Sequence, residues 1–180
     1  MEEIVTSWSN RWFSRLHSVT FTFEHTSIKQ PQRVYIIDQI LGISPQLSHL
    51  VVTLEDLRHC SHSNPNVKHI ELVLDSPCSN PNEYIHPRLL FKLLPGICRL
   101  ETTGYSIKFN ENLVTFIIEI VDTFHRLVEL TLNKHGHLEI KPEVQWAILH
   151  GIFAAETKRP LTLNTCQIIF PRNNTIRIWL

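Results

Sequence analysis

Glycine is scarce, with 5 in 180 residues, so tight turns that need a positive φ must be few. Neither Gly-x-Gly-x-x-Gly nor a P-loop occurs, which leaves nucleotide binding without its phosphate cradle. The four cysteines, Cys60, Cys78, Cys98 and Cys166, include no C-x-x-C pair. That spacing argues against a disulfide framework or a zinc knuckle and for a reducing compartment. Net charge is also lacking: 17 Lys plus Arg balance 17 Asp plus Glu, so no long-range field draws in nucleic acid or an anionic membrane. No run approaches the roughly 18 apolar residues of a membrane span. Met1-Glu2-Glu3-Ile4, followed by Trp8, Asn10 and Arg11, lacks the apolar stretch of a signal peptide. Ser, His and Asp are present, but in no Gly-x-Ser-x-Gly elbow. Together these absences predict a cytoplasmic, monomeric protein that is not an enzyme, holds no cofactor or metal, and has neither a nucleic acid nor a membrane as partner.

What is present is a core-forming composition, 43% hydrophobic against 19% charged, in a chain of the length of one ordinary domain. Its organising stretch is Phe124-His125-Arg126-Leu127-Val128-Glu129-Leu130-Thr131-Leu132-Asn133, because the pattern Leu-x-x-Leu-x-Leu returns along the chain. The units are Leu16-x-x-Val19-x-Phe21-x-Phe23, Leu47-x-x-Leu50-x-Val52-x-Leu54, Val67-x-x-Ile70-x-Leu72-x-Leu74, Ile97-x-x-Leu100-x-Thr102, Leu127-x-x-Leu130-x-Leu132 and a degenerate Pro160-Leu161-Thr162-Leu163. Their second apolar positions, Val19, Leu50, Ile70, Leu100, Leu130 and Leu161, are separated by 31, 20, 30, 30 and 31 residues. Such self-similarity at a near-fixed period is the mark of a repeat-built scaffold.

Between the units the periodicity changes. Apolar alternation over Val19, Phe21 and Phe23 reads as a half-buried strand. Pro31, then Val34, Ile37, Ile40 and Leu41 before Gly42, reads as a helix. The stretch from Leu54 to Val67 is too short and polar for a full helix with two turns. Residues 75–82 read as a loop, and His86-Pro87 opens a short helix burying Leu89, Leu90, Leu93 and Leu94. Asn110 is placed as the N-cap of the best-formed helix, with Leu113, Phe116, Ile117, Ile120, Val121 and Phe124 in one stripe. Pro142 starts another helix, with Val144, Ile148 and Ile152 inward, ending near Lys158. Residues 1–15 space Ile4, Trp8, Trp12 and Phe13 as a capping helix, or as the tail of an upstream domain. Residues 164–180 form a closing hairpin or two final strands that protect the sheet edge.

A strand motif Leu-x-x-Leu-x-Leu followed by a helix, at about 30 residues per unit over residues 16–163, resembles the leucine-rich repeat in its longer, helix-bearing form, most like the irregular repeats of F-box/leucine-rich-repeat proteins. The resemblance implies an α/β curved solenoid, with a parallel sheet on the inner side and helices outside, flanked by the 1–15 and 164–180 caps. It also implies a protein-interaction scaffold that holds its partner on the concave sheet face, as in the substrate-recognition part of an F-box-type ubiquitin-ligase receptor. Residues 1–15 show no Leu-Pro-x-Glu opening of an F-box. A structural or orphaned fragment of a longer repeat protein, with no activity of its own, is the competing reading.

If the register holds, the residues between the apolar strand positions face the concave side. They are Thr20, Thr22 and Glu24; His49, Val51 and Thr53; His69, Glu71, Val73 and Asp75; Arg99, Glu101 and Thr103; and Glu129, Thr131 and Asn133. Glu71, Glu101 and Glu129 on neighbouring strands would form a mildly acidic stripe suited to a partner with a basic surface. A plain solvated face of tolerant Thr and Glu is the alternative. The metal-capable residues His59, Cys60, His62, His69 and Cys78 match no zinc spacing, and His135-Gly136-His137 reads as turn chemistry. Trp146 and Trp179 suit either interface anchors or the core.

Overall fold

A computed structural model describes residues 13–21, 28–74, 86–104, 111–134, 140–172 and 174–180, apart from the side chains of Glu111 and Arg172. In chain order the elements are β1 (Ser18–Thr20), α1 (Gln30–Ile43), β2 (His49–Thr53), α2 (Leu54–Leu57), β3 (His69–Val73), α3 (Pro87–Leu93), β4 (Arg99–Gly104), α4 (Glu111–Thr123), β5 (Glu129–Lys134), α5 (Pro142–Ala154), β6 (Gln167–Arg172) and β7 (Thr175–Trp179). They build one seven-stranded sheet in the order β1-β2-β3-β4-β5-β7-β6. The first five strands are parallel neighbours, and β7 and β6 join antiparallel.

The register is the one the repeat spacing dictates. Val19, Leu50, Ile70, Leu100 and Leu130 stand opposite one another across five strands. The last four are fully buried, as are Leu47, Val67, Ile97 and Leu127 three residues before each of them. With Val52, Leu72, Leu132 and the helix stripes, these residues form one continuous core. The substitution of Thr for an apolar residue at 102 changes nothing in this placement, since Thr102 is as buried as its neighbours Leu72 and Leu132.

A repeated backbone device starts strands β2 to β5. The carbonyl of the residue preceding one strand accepts two N–H groups of the next: His17 from Ser48 and His49, Ser48 from Lys68 and His69, Lys68 from Cys98 and Arg99, and Cys98 from Val128 and Glu129. A turn bond precedes β1, β2, β4 and β5, with Leu16 N–H on Phe13 O, Leu47 on Ser44, Ile97 on Leu94 and Leu127 on Phe124. The turn regions ahead of β2, β3 and β4 read Ser44-Pro45-Gln46, Asn64-Pro65-Asn66 and Leu94-Pro95-Gly96. Proline at the second turn position presets the required φ. This second, turn-level repeat in the sequence accompanies the apolar one.

Helices α3 and α5 begin at Pro87 and Pro142, and α1 carries Pro31 as its second residue, all in the first turn where a missing N–H costs nothing. The α4 stripe is buried as its period requires: Leu113, Phe116, Ile117, Ile120, Val121 and Phe124 all lie in the core. The short unit between β2 and β3 holds only the four-residue α2, capped by Thr53, whose hydroxyl accepts the Asp56 N–H. There Asn64, nearly inaccessible, takes over the bonding that a longer helix would provide. Its Nδ2 donates to the carbonyls of Leu41 and Ser44, its Oδ1 accepts from Asn66 N–H, and its own N–H donates to Leu93 O. Asp56, wholly buried, is held by a two-pronged pairing with Arg33 at 2.9 and 3.0 Å and by the Thr53 hydroxyl at 2.8 Å. That pairing ties α2 to α1.

Two expectations are corrected. Pro160–Leu163 is not a sixth parallel strand. Thr162 O accepts from both Thr165 and Cys166 N–H, and the Thr165 hydroxyl bonds back to Pro160 O, so local turn bonds replace a ladder. Leu161 is buried but Leu163 points to solvent, and the place beside β5 belongs to β7. Helix α5 ends at Ala154, four residues before Lys158, because Ala155 leaves helical geometry. The closing hairpin is present as β6 and β7. The expected N-terminal helix, the 75–82 loop and the Asn110 cap lie outside the described residues.

Replacing Ile117 or Leu130 with Asp should unfold the array locally, since each side chain is fully buried and such burial contributes about 1.5–3 kcal/mol before the charge penalty. Limited proteolysis should show new cleavage in both variants. Gly96→Ala should cost more than an ordinary surface change, because an added Cβ would lie 1.9 Å from the Pro65 carbonyl oxygen. A loss of about 1–3 kcal/mol in urea melts is expected.

Candidate functional site

Along each central strand, the positions that alternate with core residues lie on the sheet's open face, turned away from that core. Pairing sets them in three rows. The first is Ser18, His49, His69, Arg99, Glu129 and Trp179; the second Thr20, Val51, Glu71, Glu101, Thr131 and Arg177; the third Thr53, Val73, Thr103, Asn133 and Thr175. The structure therefore brings together His49, Thr53, His69, Glu71, Val73, Arg99, Glu101, Thr103, Glu129, Thr131 and Asn133 on one surface. Thr22, Glu24 and Asp75 lie outside the described residues. Thr131 differs from expectation in being only 3% exposed, flanked in register by the longer Glu101 and Arg177.

The three glutamates do not form one stripe. Glu71 and Glu101 are directly opposite, but Glu129 stands one row away, opposite Arg99. Its carboxylate lies 3.6 Å from Arg99 Nε and 3.5 Å from Arg177 Nε, so it is shared by two cations. Neither contact is aligned as a short hydrogen bond, and such pairs on a wet surface contribute little to stability. Arg177 also lies over the Trp179 ring at 5.6 Å. This charged cluster depends on β7, whose antiparallel insertion supplies Arg177 and Trp179 to the face.

Glu101 accepts a hydrogen bond from Asn133 Nδ2. Burial pushes its carboxyl above the ordinary value of 4.5, the Glu71 charge adds to that rise, and Arg177 and the Asn133 bond oppose it. Burial pushes His69 below 6.5, with His49 and Arg99 adding to the effect. The rings of His49 and His69 are stacked, centroids 4.4 Å apart.

The metal-capable residues are used otherwise. His62 Nδ1 is 2.7 Å from Asp38 Oδ2, and Asp38 also accepts the Ser61 and His62 N–H groups and the Ser61 hydroxyl. Burial alone would raise Asp38, but those hydrogen bonds outweigh it and bring it down to about 2. Cys60 is buried with its thiol pushed up to about 12, by burial and the charges of Asp38 and Asp56. Among the described residues no group of three or more His, Cys, Asp or Glu is placed to hold a metal ion. Cys78 and His135-Gly136-His137 lie outside them. Trp146 is exposed and packs against His150 at 4.7 Å, whereas Trp179 is half-buried.

No helix among the described residues is long and apolar enough to cross a membrane. In comparisons with known proteins, no family model matches the chain, and neither a curated protein nor a solved structure matches it.

The Glu101 carboxyl gives a prediction with a definite sign. A folded-state pKa raised above the unfolded value contributes stability below about 4.5 that is lost as pH rises through the folded value. Glu101→Gln should therefore be more stable than the parent at neutral pH and should flatten that part of the stability profile. Thermal melts at about pH 4 and pH 7 check it; a destabilised Gln variant at neutral pH would contradict the reading.

Proposed function

We propose that this chain is a leucine-rich-repeat-like solenoid that acts as a protein-interaction module, with the open sheet face as its concave, partner-holding side. The partner presents basic side chains. One observation carries this reading: Glu71 and Glu101 stand opposite each other on β3 and β4. Like charges directly across adjacent strands are destabilising. The fold offsets this cost only in part, through Asn133 and the field of Arg177, since Arg99 and Arg177 are engaged with Glu129. A Lys or Arg delivered from outside would lie between the two carboxylates and relieve the repulsion. Val51 and Val73, half-buried beside Glu71 in the second and third rows, offer the apolar stem of such a side chain something to cover.

The open face suits a protein surface better than a small molecule, because its functional groups spread over five strands instead of converging in a pocket. In its most specific form the module would be the substrate-reading part of an F-box-type ubiquitin-ligase receptor. That role rests on the repeat resemblance, with the parallel strands and backing helices as its structural support.

The double variant Glu71→Lys/Glu101→Lys should capture far less of a basic partner from lysate than the parent does. Against a fluorescent lysine-rich peptide, affinity should fall by roughly 30-fold or more, about 2 kcal/mol. Parent protein that fails to bind the peptide, or a double variant that binds it equally well, would defeat the proposal.

A further inference from the structure

The first row of the open face contains a feature that partner binding alone does not account for. The His49 and His69 rings lie 12° from parallel, on adjacent strands in direct register. His49 Nδ1 is 3.1 Å from Ser18 Oγ, which ties the three-residue β1 to β2 through a side chain as well as the ladder. The other ring nitrogen of His49, Nε2, is buried without a hydrogen-bond partner. Whichever nitrogen of the neutral ring carries the proton, Nε2 is left without a partner on this side of the stack. Charging both rings would set two positive groups face to face, with Arg99 next in the row as a third.

The groups facing the stack come from each neighbouring strand: Ser18 on β1, Glu71 on β3, Arg99 on β4 and Glu129 on β5. Only the two carboxylates favour charged rings, and Glu129 already serves Arg99 and Arg177. Burial and the neighbouring His49 and Arg99 prevail for His69, which is held below its ordinary 6.5. A depressed histidine favours the neutral folded form, so its contribution to stability is complete above about 6.5 and lost as pH falls through and below that value.

We propose that the His49–His69 stack is a pH-operated latch on the open face: neutral rings hold β1 and β2 in place, and acidification parts the rings and frees that margin of the sheet. Resting on the partner reading above, the latch has a consequence for binding. Opening adds positive charge beside Glu71 and Glu101, so a basic partner held at neutral pH is released in mild acid.

Hydrogen exchange of the full chain, corrected for intrinsic rates, tests the latch without any partner. Between about pH 7.5 and pH 5.5, amides of residues 17–21 and 48–53 should lose protection by about tenfold relative to those of 128–134. The variant His49→Phe/His69→Phe, which keeps two stacked rings but cannot titrate, should hold its protection at both pH values. His49→Gln/His69→Gln provides a second non-titrating pair should the rings crowd. Unchanged protection in the parent, or the same acid loss in both variants, would overturn the latch. In parallel, the fluorescent lysine-rich peptide is titrated at both pH values. If the peptide does not bind at pH 7.5 while exchange still shows the acid loss, the latch stands and the partner reading falls.

Discussion

The parallel part of the sheet depends on one small hydrogen-bonded device, in which a carbonyl just ahead of one strand receives two N–H groups from the start of the next. His17, Ser48, Lys68 and Cys98 form that series, and at its end the Val128 carbonyl takes a single N–H, from Leu180 just past the antiparallel β7. Each link fixes where the next strand starts to within a residue. In a sheet with one face buried, a slip of a single position would turn every apolar side chain outward. The links and the core therefore enforce the same register. The carbonyl series spans the 20-residue and 30-residue intervals alike, so the amount of helix between two strands can vary without disturbing the sheet.

That freedom explains the short unit. With only α2 between β2 and β3, the helical layer loses a full element, and a cavity of about 40 Å³ remains between α2 and α3, lined by residues including Leu54, Leu57 and Leu89. Asn64 and the Arg33–Asp56 pair supply there, by directed hydrogen bonds, the cohesion that apolar helix packing supplies elsewhere. A buried pair of this kind is specific rather than strongly stabilising, because desolvation offsets much of its attraction.

Much of the architecture was legible because burial on one face leaves a period in the chain. The positions Leu50, Ile70, Leu100 and Leu130 announced both strands and register, and the α4 stripe announced its helix. The end of the array was not legible in the same way. Pro160-Leu161-Thr162-Leu163 has the right composition for a strand, but Thr162 and Thr165 spend their bonding groups on a local turn, a competition that apolar spacing does not reveal. For the face, the pattern identified which residues share a surface but not which are neighbours within it. Glu129 occupies the first strand position whereas Glu71 and Glu101 occupy the third, and this offset of two residues puts Glu129 beside arginines instead of glutamates. Arg177 carries no signal in the repeat pattern, and Trp179 reads there only as an anchor or core residue, because both arrive on an antiparallel strand from outside the repeat. The prolines at 45, 65 and 95, each followed two residues later by a core position, were a signal in plain view.

The final hairpin has a further effect on how the molecule meets copies of itself. The outermost strand, β6, contains Pro171, which has no N–H to offer, and its pairing shifts irregularly between Ile169 and Arg172. A row of parallel strands left bare would be a template on which other chains could align. By finishing on a reversed, interrupted strand, this side of the sheet presents a poor template, and growth into fibrous stacks from that margin is disfavoured by its backbone alone.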